Sequence, residues 1–415
     1  VSSAELLASR AGLRILMQGG NAFDAAVATA AALGVVEIKT TGLATDGYWM
    51  FYDAKKKEVT AIDFAGIAPS GARPERYPLQ KGEDITLARI EPVGYVSSTV
   101  PGAPASWDMM LKRYGSMTLG AVLQPAIEYA ENGYPISVLT AAALENAKDS
   151  LLKFPTTAAV YFPGGEAPYP GQIMVNKDLA RTYRRLAAGG AAEFYRGSIA
   201  REIVSFYQQH GGLFTSDDFA QMDKVARWVD PISTSFRGYT ISTHPPTASG
   251  TDILQELNIL EGFDLTGFTH NSADYIHVFA EAVKLTTADR LKYYGDPDFV
   301  KIPVERLISK EYAATLRARI DMKRAAPVVF SGLVTSDQTN TMSVIDKEGN
   351  VVIGTFTIQA GLGCRVVPGN LGFLMNNSLS YFSLDPRSPN VVAPRKRPEW
   401  PMPTVMVTKD SKFFL

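Results

Sequence analysis

Apolar residues recur at helical spacing at the start of the chain. Leu6, Leu7, Leu13 and Leu16 follow Ser2 and Ser3, which can cap a helix, and Gly19-Gly20 ends it. A second helix is predicted from Ala22 to about Gly34, started by Asn21 and alanine-rich on every face. A helix that is apolar all round is a buried one. The period then changes. Tyr48 to Tyr52 and Val59 to Phe64 read as strands joined by a turn over Asp53–Lys57. From about Ser106 to Ser309 the pattern is mainly helical, most clearly over 119–132, 177–188 and 272–294. Proline-rich breaks fall at Pro101-Gly102-Ala103-Pro104 and His244-Pro245-Pro246. From Met342 onward short β-branched runs take over, at 342–346, 351–358 and 403–408. The stretch 324–338 is weakly patterned and reads as an exposed loop before them. Strands at both ends around a helical middle predict an α/β (α+β) layered fold whose two ends share a sheet.

Composition narrows the function. The 415 residues are 46% hydrophobic, ample for a packed enzyme core. The formal charge is -1 with both signs mixed along the chain, so nothing marks a nucleic-acid or anionic-membrane surface. No apolar run reaches membrane-spanning length and no secretory leader pattern follows Val1, although removal of a leader would leave the same sequence. The single cysteine, Cys364, rules out an intrachain disulfide framework. That leans the location towards the cytoplasm, with a periplasmic or secreted one open if a leader was removed. No metal and no cofactor is expected. The four histidines lack zinc-motif spacing, no Walker-type loop occurs, and Gly361-Leu362-Gly363 lacks the helix a dinucleotide fingerprint needs. Cys364, without a neighbouring histidine, reads as a buried structural thiol. His277 reads as a packed core residue and Asp289-Arg290 as a structural charge pair. Arg365 reads equally as a surface residue or as one facing an anion.

The segment with the most chemistry in it runs from Thr339 through Asn340-Thr341-Met342-Ser343-Val344-Ile345-Asp346 to Asn350, and on to Gln359. Lys347-Glu348-Gly349 fits a three-residue hairpin loop with glycine in the left-handed position. Asp346 then faces Asn350, and Thr339 faces Thr357. A two-residue loop would instead set Thr339 against Ile358, with Thr357 one step diagonal. Cross-strand threonine pairs are ordinary sheet stabilisers, so the hairpin alone does not distinguish catalysis from structure.

Several blocks resemble the gamma-glutamyltranspeptidase family, in order and over nearly the whole chain. They are Gly19-Gly20-Asn21-Ala22-Phe23-Asp24-Ala25-Ala26, Val100-Pro101-Gly102, Pro245-Pro246-Thr247-Ala248-Ser249-Gly250-Thr251 with Leu257-Asn258-Ile259-Leu260-Glu261-Gly262, Asp296-Pro297-Asp298-Phe299, and Met375-Asn376-Asn377. The resemblance implies the αββα N-terminal-nucleophile hydrolase fold and a precursor that cuts itself before a threonine. That cut would fall between Gln338 and Thr339. Residues 1–338 would then belong to the large subunit of one domain and 339–415 to the start of the small one, with higher oligomers possible. Thr339 would be the nucleophile and Thr357 the second threonine that orients it. The new α-amino group would be the base, since its ordinary pKa of about 7.7–8.0 suits neutral pH. The family's Gly-Gly oxyanion pair would fall just beyond Leu415. The implied partner is a small-molecule amide, held by a pocket of Gln359, Asn376, Asn377, Ser378, Tyr381, Ala65 and Trp400.

Three departures bear on specificity. The family's carboxylate-binding arginine aligns with Ala65, its amino-binding acid with Tyr381, and its serine pair with the Glu399-Trp400-Pro401 region. Loss of all three argues against a zwitterionic γ-glutamyl group. The likeness is closer to the oxamate amidohydrolase and acylase branches, and hydrolysis is expected to outrun transfer. Two alternatives stay open. One is a true γ-glutamyl transferase with Arg365 or Arg395 replacing the lost arginine. The other is an unprocessed, non-catalytic homologue.

Overall fold

The structure is a computed structural model describing residues 1–79, 84–327 and 339–414. The first helix, α1, spans Leu6–Met17. Its N-cap position is Glu5, not either serine, because Ser2 is used elsewhere: it pairs with Ser343 through backbone bonds of 2.8 and 2.9 Å. The second helix, α2 (Ala22–Val36), begins with a capping box in which Asn21 and Asp24 satisfy each other's amides. Every residue of α2 is buried.

Strands β1 (Asp46–Asp53) and β2 (Glu58–Phe64) follow, then helices α3 (Ala103–Tyr114), α4 (Leu119–Asn132), α5 (Lys177–Tyr195, broken at Gly190) and α6 (Ser198–Gln209). Next come β3 (Arg227–Val229), β4 (Ile232–Phe236) and β5 (Tyr239–Thr243), inside the stretch whose pattern predicts helix. Two features hide them. The alternation in β4 is carried by serine and threonine rather than by large apolar residues, and its positions are only partly buried. The turn to β5 rests on Arg237-Gly238, both at positive φ (49° and 84°), the short hairpin chemistry that joins such strands. Helices α7 (Gly250–Leu260), α8 (Ala273–Tyr293) and α9 (Lys310–Arg317) lead to β6 (Asn340–Ile345), β7 (Val351–Thr357), β8 (Val405–Lys409) and β9 (Lys412–Phe413). His277 on α8 is not a core residue. It is partly exposed, and its Nε2 donates to the Asp321 carbonyl at 2.9 Å.

These strands form two sheets, with strand orders β3-β2-β1-β7-β6 and β9-β8-β5-β4, antiparallel throughout, and a short two-stranded sheet pairs Tyr134–Pro135 with Ile173–Met174. The two ends of the chain therefore share the first sheet. Its outer face carries Trp49, Phe51, Ile62, Phe64, Val344 and Phe356 into one core with α2. Its inner face meets the second sheet, where Met50, Tyr52, Ala61 and Val351 pack on Met406. Residues of α7, α8 and α9, among them Ile259, Val278 and Ala313, form a further core, and α7 lies on β4 and β5. This is the four-layer αββα arrangement.

The hairpin has the three-residue loop. Asp346 N donates to Asn350 O at 3.1 Å and Gly349 takes φ +85°. The Asp346 carboxylate accepts from Asn350 N and Nδ2 (both 2.9 Å) and from Ala22 N (3.0 Å), tying the loop to the start of α2. Along β7 the packing is tightest at Gly354, which lies opposite Trp49; a Cβ there would stand 2.2 Å from the indole ring. Gly354→Ala is therefore expected to cost about 1–3 kcal/mol. Urea unfolding followed by tryptophan fluorescence measures it, and an unchanged midpoint would contradict this packing account.

Candidate active site

The last ladder pair of the hairpin is Asn340 with Phe356. Thr339 and Thr357 each lie one residue beyond that pair, so the ladder carried one step on would set them opposite each other. Thr341 and Thr355, two residues back along the strands, hold their hydroxyls 3.3 Å apart. Thr339 is exposed, and its Oγ1 donates to Met402 Sδ at 3.4 Å. Thr357 is buried, and its Oγ1 accepts from Gln359 N at 2.8 Å. Gln359 itself takes φ +79°, uncommon for a residue with a side chain, so the chain turns sharply just after the second threonine. Gln338 and the proposed scissile bond lie outside the described residues.

Behind Thr357 the polar groups are buried and mutually satisfied. Asp46, its register partner in β1, accepts from Thr99 Oγ1 (2.6 Å), Ser378 Oγ (2.9 Å) and Gly102 N (3.0 Å). Burial pushes the Asp46 carboxyl well above its ordinary range, and these donors pull the other way. Asn376 accepts from Thr99 N at 2.9 Å and donates to Ala44 O at 3.2 Å. Asn377 accepts from Ala360 N at 3.0 Å and donates to Gly363 O at 3.1 Å. Their bonds thus make Asn376, Asn377 and Ser378 ties between loops.

In front of the threonines stands an apolar wall. Tyr48, Ala65, Ala248, Trp400 and Met402 form one buried cluster, with Tyr381 packed on it. The Tyr381 and Trp400 rings are 4.6 Å apart. The 247–249 segment clamps the Trp400 backbone: Trp400 N donates to Thr247 O and Ser249 N to Trp400 O, both at 3.0 Å. Tyr48 Oη and Thr247 Oγ1 are 2.9 Å apart. His244 lies beneath Tyr48 with Nε2 3.0 Å from Trp49 O, and burial pushes its pKa down to about 4, so it is neutral at working pH. Of the residues expected in the pocket, Ala65, Tyr381 and Trp400 come together here, next to the methionine that Thr339 touches.

Beyond Tyr381 opens a cavity of about 550 Å³, lined by Arg89, Arg290, Tyr381, Asp385, Arg387 and Glu399 among others. Sequence reasoning passed over Arg89 and Arg290 as site residues. The signal for Arg89 is an arginine between Ala88 and Ile90, both buried. Arg290, read as half of a structural pair with Asp289, instead faces Asp252 and Glu399, each at 3.5 Å. Arg365 and Arg395 do not border the cavity. Cys364 is buried, 3.5 Å from Tyr207 Oη, and desolvation raises its thiol pKa. Among the described residues no group of three or more His, Cys, Asp or Glu could hold a metal ion, and no helix is long and apolar enough to cross a membrane.

The gamma-glutamyltranspeptidase family profile matches residues 8–415. A glutathione hydrolase-like YwrD proenzyme of Bacillus subtilis is 39% identical over 99% of this chain and 76% of its own length. The Escherichia coli glutathione hydrolase proenzyme is 36% identical over 100% of this chain and 74% of its own length. Among solved structures, a cephalosporin acylase from Bacillus halodurans superposes with a TM-score of 0.88 at 33% identity, covering 99% of this chain and 75% of that one. The chain belongs to the gamma-glutamyltranspeptidase family and has its N-terminal-nucleophile hydrolase fold.

Proposed function

We propose that the protein is an autoprocessed amide hydrolase with Thr339 as its N-terminal nucleophile. The observation that carries the reading is Thr339 at the head of β6, across the hairpin from the buried hydroxyl of Thr357 and against the apolar wall. The relatives named as proenzymes support the precursor. Cleavage after Gln338 would free the Thr339 α-amino group and separate a large segment, 1–338, from a small one beginning at 339. The amine then takes the proton of Oγ1 as that oxygen attacks the amide carbonyl. The proton passes to the leaving amine, an acyl ester on Thr339 remains, and water, deprotonated by the same amine, hydrolyses it. Thr357 orients Oγ1, and Gln359 sets Thr357 in turn. Asn376, Asn377 and Ser378 hold this frame from behind.

The wall formed by Ala65, Tyr381 and Trp400 favours a small acyl group lying along aromatic surface, with water as acceptor. A second reading, γ-glutamyl hydrolysis or transfer, draws on the glutathione hydrolase names of the relatives. Against it, Ala65 is fully buried in one apolar cluster with Tyr48 and Trp400, so position 65 offers no charge to a zwitterionic head group.

Denaturing electrophoresis of the purified protein should show two fragments divided at Gln338–Thr339, and Thr339→Ala should stay one chain. An intact wild-type chain that still hydrolyses amides would remove Thr339 from the mechanism. The α-amino base must be uncharged to act, so kcat/KM should rise with pH through a limb near about 7.7–8.0. His244 stays neutral through this range and adds no limb. A flat profile between pH 6 and 9 would speak against an amine base. Small neutral acyl anilides should exceed γ-glutamyl anilide by about tenfold or more in kcat/KM, or about 1.4 kcal/mol of transition-state binding. The reverse ranking would favour the second reading.

A further inference from the structure

One short loop of the large segment is bonded to the neighbour of each threonine. It follows α2, whose residues are all buried. Glu37 caps that helix, its N–H donating to Leu33 O at 2.8 Å. The Glu37 carbonyl accepts in turn from Thr40 N and Thr41 N, both at 3.2 Å. The loop is thereby folded onto a helix end that is itself fixed in the core.

From this loop Thr40 makes two outward contacts. Its carbonyl accepts from Ile358 N at 2.9 Å, one residue past Thr357. Its hydroxyl accepts from Asn340 Nδ2, one residue past Thr339. The same hydroxyl donates to Glu37 Oε1 at 3.1 Å. With its proton committed to the carboxylate, the hydroxyl turns a lone pair to the Asn340 amide, so donation runs one way, from Asn340 to Thr40 to Glu37. The Glu37 carboxylate is also paired with Lys39 and accepts from Thr140 Oγ1 at 3.2 Å. Glu37, Thr40 and Asn340 are all buried. Bonds to a charged acceptor are the stronger kind, and in dry surroundings a chain of them polarises and tolerates no missing member.

The consequence falls on Thr339. The ladder of β6 ends at Asn340, so the nucleophile is the first residue beyond it. Once the chain is cut it is also a terminus, and termini fray unless they are tied down. Asn340 then fixes where Thr339 stands, its backbone through Phe356 and its side chain through Thr40.

We propose that Thr40 is a positioning residue for the nucleophile: its hydroxyl, backed by Glu37, holds Asn340 and so sets Thr339 Oγ1 for self-cleavage and for amide hydrolysis alike. The proposal rests on the Thr339 reading above. Thr40 belongs to the large segment and Asn340 to the small one, so the tie crosses the cut and outlasts it. In self-cleavage Thr339 Oγ1 attacks the Gln338 carbonyl carbon, its proton passes to the Thr339 nitrogen, and the C–N bond breaks. Water then hydrolyses the resulting ester to a Gln338 carboxylate and a free Thr339 hydroxyl. A misplacement of about 1 Å can cost on the order of a hundredfold in rate, so a side chain acting one residue away can govern the step.

The precursor is its own substrate, so the test needs no knowledge of the acyl group. Full-length precursor from cell-free translation, sampled over time on denaturing gels, gives the rate of division at Gln338–Thr339. Thr40→Val keeps the shape and loses the hydroxyl. It should divide at least tenfold more slowly than wild type, with an unchanged circular dichroism spectrum. Thr40→Ser keeps the hydroxyl and should divide nearly as fast as wild type. Asn340→Ala should match the loss in Thr40→Val, and the double variant should be no slower than Asn340→Ala alone, because both substitutions break one bond. Three results overturn the proposal: a Thr40→Val precursor as fast as wild type, a Thr40→Ser precursor as slow as Thr40→Val, or losses that add in full in the double variant. Should Thr40→Val fail to fold, Asn340→Ala reads the same bond from its other end, and wild-type speed there overturns the proposal equally. A wild-type precursor that never divides is a different failure: it removes Thr339 as the nucleophile, and the proposal falls with it.

Discussion

The pairing of Asp46–Tyr52 with Val351–Thr357 joins segments some three hundred residues apart and makes β1 the middle of the first sheet. Closing so long a loop is entropically costly, though the cost grows only slowly with length. The return is burial: Trp49 lies over Gly354, and Phe51, Phe356 and α2 complete the layer. The same register sets Asp46 beside Thr357, and the hairpin then carries Thr339 to the opposite side. A cut before Thr339 would leave β6 and β7 bound to β1 by hydrogen bonds and core packing. Two polypeptides could thus share one sheet without a covalent link.

Around the threonines the environment changes in steps. Behind them, Asp46, Asn376 and Asn377 are buried, with their bonds directed at loop backbone and hydroxyls. Such a network is strong because the surroundings are dry, and for the same reason it tolerates no missing partner. In front, Tyr48, Trp400 and Met402 exclude water. Beyond Tyr381 the lining turns polar and cationic. Thr339 therefore meets an apolar surface first, and the charged lining lies farther out.

How much could be read beforehand depended on range. The all-alanine face of α2, the paired strands around 53–57 and the helices at 119–132 and 273–293 follow from local periodicity, and the structure has them. Strands β4 and β5 were hidden because their alternation is written in Ser and Thr. The serine cap expected for α1 was lost to a strand partner at Ser343, and His277 was drawn out to a carbonyl at Asp321.

The hairpin shows the division most clearly. Lys347-Glu348-Gly349 determined its own loop, and the register down to Asn340 against Phe356 followed, because turn geometry and strand period are properties of adjacent residues. The aligned blocks likewise determined the family, since their order along the chain is itself sequence. The surroundings were decided only by the tertiary structure. Asn376 and Asn377 became ties because loops at 44, 99 and 360 arrive beside them. Arg89 came to border a cavity because the 290, 381 and 399 segments surround it. Those neighbours are brought by packing between distant segments, and no local pattern of apolar and polar residues encodes which charged groups will meet.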